Sequence, residues 1–213
     1  MDHIIESIKK RRSIRKYSSR KVAANILRQV LEAARWAPSA HNAQPWRFIV
    51  LTDASLKRKL SKAMADVWIA DLIKDDIPSE TRESMSKASA EQFTRAPVLI
   101  VACLTMKEMI KYEDESRQKS ERDLAVQSLG AAVQNMLLAA HANGLGACWF
   151  CAPIFCKEFV RKILKIPDDV EPQALITLGY PSEKPRAPSR KPLETCSYLD
   201  HWGKKLWSRP YHC

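Results

Sequence analysis

The sequence predicts an α/β sandwich built around one sheet, and two observations support it. Four short apolar runs, 46–51, 97–103, 147–151 and 173–180, read as buried strands. Between them lie longer stretches in which apolar residues return at helical spacing, so strands and helices alternate along the chain. At 213 residues the chain is long enough for one sizeable core and short for two. No repeat, low-complexity stretch or composition shift divides it. Residues 1–213 are expected to form one domain, with 185–213 an extended tail.

In chain order, Ile4, Ile5 and Ile8 recur at helical spacing within residues 2–10, and Asp2 is placed to cap that helix. Ile26, Leu27, Val30, Leu31 and Ala34 form an apolar stripe over 25–35, which ends before Pro38. After the first strand, Asp53 is placed to cap a helix that turns Leu56, Leu60 and Ala63 inward. Residues 66–92 carry Trp68, Ile69, Leu72 and Ile73 amid charges around Pro78, a composition that fits a mobile helical excursion and equally a packed surface. A charged loop is expected from 107 to 119. The longest helical signal follows over 122–143, where Leu124, Leu129, Val133, Met136, Leu137 and Ala140 mark an apolar arc wide enough for the centre of the fold or a subunit interface. Gly144 and Gly146 can end it. A helix over 155–164 separates the last two strands. From Pro181 onward prolines and basic residues dominate, and Trp202, Leu206 and Trp207 lie in a tail with no core of its own. Such residues call for cover, and a second subunit is the nearest candidate.

An apolar fraction of 46% and a charged fraction of 28% belong to a soluble globular protein. No apolar run approaches the roughly 18 residues of a membrane span, and the first residues form a charged amphipathic helix rather than a signal peptide, so no membrane association and a cytoplasmic location are expected. Six cysteines in so apolar a chain read as reduced thiols rather than disulfides. The net charge of +11 is spread over the whole length without an RNP, zinc-finger or helix-turn-helix signature, which argues against a nucleic-acid partner. An anionic nucleotide would profit from the same field.

Two stretches near the N-terminus carry the functional signal. In Arg11-Arg12-Ser13-Ile14-Arg15, residues 11, 13 and 15 would leave an extended backbone on one side and 12 and 14 on the other. Two guanidinium forks and a hydroxyl then meet on one patch, which suits a phosphate with a polyol attached. A basic helix end that complements a macrodipole would look the same. The second stretch, Pro38-Ser39-Ala40-His41-Asn42-Ala43-Gln44-Pro45-Trp46, is a rigid polar loop at the mouth of a core strand, where ligand sites are common. Cys148-Trp149-Phe150-Cys151 has thioredoxin spacing, yet residues three apart on a strand point to opposite faces, so a dithiol is not expected. A zinc site from Cys148, Cys151, Cys156 and His141 lacks a second CxxC or HxxxH, and no metal is expected.

The pairing of these two stretches resembles the start of the nitroreductase family. The likeness continues through 132–140, Gly144-Leu145-Gly146-Ala147-Cys148-Trp149, Ile166-Pro167, 174–181 and Arg190-Lys191-Pro192-Leu193-Glu194, in the family's order and at similar intervals. The resemblance implies an α+β fold with a mixed or antiparallel sheet flanked by helices, a homodimer with flavin mononucleotide (FMN) at its interface, and a tail reaching onto the partner. Position by position, it implies that Arg11, Arg12, Ser13 and Arg15 hold FMN from one subunit, Arg15 near the pyrimidine edge. Pro38, Ser39 and Asn42 would approach from the other subunit. Cys151 and Ala152 match the position whose backbone amide faces flavin N5, and Arg190 matches a residue that reaches the phosphate. The family often has glycines where this chain has Cys151 and Ala152. No side-chain acid or base is required, because the cofactor carries the chemistry. The expected reaction is a ping-pong hydride transfer from NAD(P)H to an electron-poor acceptor such as a nitroaromatic or quinone, with residues 66–92 near the substrate side. The alternative is a relative that binds the deazaflavin F420 or acts on another specialised substrate.

Overall fold

The computed structural model describes residues 3–206. Among them, four strands form one antiparallel sheet: β1 (Trp46–Leu51), β2 (Val98–Thr105), β3 (Gly146–Phe150) and β4 (Val170–Gly179), in the order β1-β2-β4-β3. The α+β class expected from the resemblance holds, with antiparallel pairing throughout this sheet. Every residue of β2 is buried, as are the last eight of β4, because helices cover both faces. Side-chain alternation divides the core. Ile100 and Ile176 face Val30 of α2 (Ala24–Arg35) and Val133 and Met136 of α5 (Glu115–Ala142). Leu99, Val101 and Leu175 face Leu60 of α3 (Ala54–Lys74), Phe93 of α4 (Ser79–Arg95) and Val160 of α7 (Lys157–Leu164). Where β2 passes Pro172 the register shifts between Ala102 and Cys103, a bulge that accommodates a residue without an N–H.

Helix α1 (His3–Lys10) has no buried residue, and Ile5 and Ile8 are each 46% exposed. The expected Asp2 cap lies outside the described residues, as do Trp207 and Cys213. Asp53 caps α3 as expected, accepting from the Leu56 amide at 2.7 Å. Residues 66–92 are helical as expected, lying in α3 and α4, which pack on each other as a hairpin. Lys57 pins its base: the ammonium is buried and donates to the carbonyls of Ala96 (2.6 Å) and Pro97 (3.3 Å).

Helix α5 begins seven residues earlier than expected, shortening the charged loop. Asp114 caps it by accepting from the Arg117 amide at 2.9 Å, and residues 115–121 carry no apolar stripe for periodicity to detect. β3 ends at Phe150, so Cys151 falls in a turn. The helix expected over 155–164 is two, α6 (Ala152–Phe155) and α7, broken at Cys156, whose backbone is non-helical. Beyond Pro181 the described chain is extended but for a turn at Leu193–Thr195 and a tight reversal in which Tyr198 bridges Lys205 and the Leu199 amide donates to the Lys204 carbonyl at 2.9 Å. No helix among the described residues is long and apolar enough to cross a membrane.

Candidate functional site

The arginine segment lies along the sheet edge beside β3. Ser13 bridges Ala147 in parallel, the Ile14 amide donates to the Ala147 carbonyl at 3.0 Å, and Ser18 donates to Tyr180 at 2.9 Å. Ile14 is buried and packs onto Gly146, where an added Cβ would lie 2.6 Å from the Ile14 Cβ. Ile14 turns inward, and Ser13 and Arg15 reach toward the buried Cys148 thiol, while Arg11 lines a cleft with Arg12 and Ile14, so the expected alternation does not set residues 11, 13 and 15 apart on one face. Burial pushes that thiol above its ordinary range, against the opposing pull of Arg15, a hydrogen bond with Ser13 and the charge of Arg11. The patch is fixed from behind. Tyr17 bonds Thr177 Oγ1 at 2.6 Å and donates to the Ile14 carbonyl, while Glu183 accepts from the amides of Arg15 (2.6 Å) and Lys16 (3.1 Å).

Arg12 behaves differently. Its guanidinium folds back onto the Lys9 carbonyl (2.6 Å) and that of Arg11 (2.8 Å), complementing the C-terminus of α1. With Arg11, Lys10, Lys184 and His141 it lines a basic cleft at the end of α5. Burial holds His141 below its ordinary pKa, helped by Arg11, Arg12 and Lys10.

Arg15 connects the patch to the turn after β3. Its guanidinium carbon lies 6.0 Å from the Phe150 ring centroid, and Cys151 and Ala152 follow directly. Ala152 opens a one-turn helix, so its amide has no acceptor within that turn. Cys151 is exposed, Cys148 buried in the strand, and the two thiols share no surface. Phe150, Cys151 and Ala152 form one wall of a cleft of about 390 Å³ whose other wall is the α3–α4 hairpin.

The loop from Pro38 to Gln44 sits elsewhere. His41, Asn42 and Gln44 hold φ near +50° (55°, 53° and 48°), a conformation L-residues avoid. The surroundings enforce it. Ser39 Oγ accepts from the Gln44 amide (3.1 Å), Ala40 donates to Ser128 Oγ (3.2 Å), and His41 Nε2 lies 3.3 Å from Glu121 Oε1. Glu121, 3% exposed, also accepts from the Ile110 amide at 3.0 Å. Sequence reasoning missed Glu121 and Ser128 as anchors. Their signal is a polar residue on the buried arc that Ala125, Leu129 and Ala132 define. Pro38 and Asn42 remain exposed. His141, which lines the basic cleft with Arg11, lies twenty residues beyond Glu121 along α5, which sets His41 about 30 Å from that cleft within one chain. Arg190 is exposed in the tail, its guanidinium bonding only the Ser189 carbonyl (3.3 Å) among the described residues.

Fold and site together define an antiparallel α+β sandwich with a basic segment along its edge strand and an aromatic cleft beside it. The chain belongs to the nitroreductase family, whose profile matches residues 8–180, a span that includes the patch, the loop and the Cys151 turn. A relative from Methanothermobacter thermautotrophicus, assigned as NADH dehydrogenase/NAD(P)H nitroreductase, is 34% identical over 184 residues, covering 85% of this chain and 79% of its own. An NADH dehydrogenase from Thermus thermophilus is 31% identical over 209 residues, covering 87% and 90% respectively. The solved structure of an FMN-dependent nitroreductase from Clostridium difficile shares 26% identity at a TM-score of 0.65, covering 87% of this chain and 91% of that one.

Proposed function

We propose that this protein is an FMN-dependent NAD(P)H oxidoreductase that acts as a homodimer on electron-poor acceptors such as nitroaromatics or quinones. One observation carries the proposal: Ser13 lies on the sheet edge beside β3 and Arg15 against Phe150, next to the Cys151–Ala152 turn and an apolar cleft, with Arg11 of the same segment lining a basic cleft. That donor set fits a phosphorylated flavin. A hydroxyl and guanidiniums match a phosphate and a polyol, and a fixed cation suits a ring system that gains negative charge on reduction. FMN, when bound, supplies reversible two-electron hydride chemistry.

The protein's own part is electrostatic and steric. Arg11, Ser13 and Arg15 would hold the cofactor, with Arg15 at the pyrimidine edge. The backbone of Cys151 and Ala152 would offer its amide at the reacting edge. Arg12, engaged with carbonyls, contributes positive field rather than a free fork, and Arg190 would have to swing in from the tail to reach a phosphate. Overall, NAD(P)H loses a hydride and the acceptor takes those two electrons with protons from solvent, each occupying the cleft in turn.

Distance supports the homodimer. His41 lies about 30 Å from the cleft that Arg11 lines, and a second copy would bring Pro38, Ser39 and Asn42 to the partner's arginines. The same copy would cover Ile5, Ile8 and Trp202, which is 86% exposed. Purified protein should be yellow, and adding NADH or NADPH without oxygen should bleach it. Protein that stays colourless after FMN is supplied overturns the proposal, and mass spectrometry of the released ligand distinguishes FMN from a deazaflavin.

A further inference from the structure

The cleft beside Cys151 has a chemistry of its own. At about 390 Å³ it lies within the range of small-molecule sites. Trp68 of α3, Phe93 of α4, Phe150 and Phe155 give it aromatic walls. Phe150 meets Phe93 edge to face, with centroids 5.0 Å apart, while Arg15 stands 6.0 Å from the Phe150 centroid. A flat aromatic molecule finds ring surface along the whole length.

The charges in its lining are both negative. Asp71 lies on the last turn of α3 and Asp75 caps it, so two carboxylates sit where the dipole of a 21-residue helix is also negative. Lys74 pairs with Asp71 at 2.7 Å and also feels the charge of Asp75, but it is not part of the lining, so both charges that face the cleft are carboxylates. In a chain of net charge +11 this is a local reversal of sign. Arg15 stands outside the lining, against Phe150, so the cleft's own charge is anionic and sits at the end of α3.

We propose that this cleft selects the electron acceptor, admitting flat aromatic molecules that carry an amine or other cationic group remote from the group to be reduced, and disfavouring aromatic carboxylates. The proposal rests on the flavin reading above and names its substrate class. Trp68 supplies the stacking surface, and Asp71 and Asp75 supply the sign.

Calorimetric titration of FMN-loaded protein with 4-nitrobenzylamine and with 4-nitrobenzoate, in the absence of NAD(P)H, tests it. The amine should bind about fivefold more tightly, as two partly exposed carboxylates warrant. Added salt should shrink that margin, and Asp71→Asn with Asp75→Asn should abolish it while leaving the yellow colour intact. Trp68→Ala should weaken both probes by a similar factor. Equal affinity, tighter binding of the carboxylate, or a preference that survives both neutralising substitutions overturns the proposal. Failure of the flavin reading shows separately, as protein that takes up no FMN, and the same titrations on that protein still decide the selectivity.

Discussion

Gly146 determines how closely the arginine segment approaches the sheet. Its missing side chain lets Ile14 come within what would be 2.6 Å of a Cβ, which seats the segment against the edge strand. Gly146→Ala forces either Ile14 or the strand to move. It should destabilise the protein by about 1–3 kcal/mol, seen as a lowered Tm, and weaken FMN retention in the same variant. An unchanged Tm would mean that the segment is not held by this contact. That the segment runs extended past the edge strand was legible in the sequence, but strict alternation was not a safe guide, because Arg11 lines a cleft together with Arg12 and Ile14. The fate of Arg12 was not legible. Whether a guanidinium folds back onto a helix end depends on carbonyls that α1 presents only once formed. Nor could the left-handed backbone at His41, Asn42 and Gln44 be read, since none is a glycine and the strain is imposed by Ser39, Ser128 and Glu121.

At the scale of elements, the strands were legible within a few residues, as buried apolar runs bounded by prolines and glycines. The beginning of α5 was not legible, because its first two turns are polar and are fixed by a cap rather than by burial. The α3–α4 hairpin was obscured for a related reason. Leu60, Met64 and Leu72 of α3 and Phe93 of α4 are buried, but charges are interspersed and half-buried residues face a cleft rather than a core. Glu171 of β4 ties these layers together, accepting from Arg122 of α5 at 2.8 Å, from Lys157 of α7 and from Gln173 at 2.7 Å. Burial alone would raise its pKa. The hydrogen bond from Lys157 and the charges of Arg122 and Lys157 outweigh that and hold it below 4.5. A carboxylate whose pKa is lower folded than unfolded stabilises fully above the unfolded value, and that stabilisation is lost as pH falls through the folded one. Glu171→Gln should thus lower stability by about 1 kcal/mol at neutral pH, and its Tm should fall less steeply than that of the native protein below pH 4.5. Parallel Tm profiles would show that the cluster contributes nothing through charge.

For the whole molecule, α5 acts as a spacer. It carries the strained loop near its beginning and the basic cleft of Arg11 and His141 at its end, about 30 Å apart. The family resemblance supplied the proposed shared site, and this separation is the physical reason to test it in this chain. Composition could not have given that reason, because the net charge describes a field and not a location. A heterodimer measures the sharing directly. One chain carries Arg11→Ala and Arg15→Ala, the other Asn42→Trp to obstruct the loop, and differently tagged copies allow the mixed dimer to be isolated. Each variant alone should purify nearly colourless, while the mixed dimer should bind one FMN per two chains, because one of its two sites then pairs an intact patch with an intact loop. A mixed dimer as colourless as its parents, or an Arg11/Arg15 double variant that keeps a full complement of flavin, would contradict the shared cationic site.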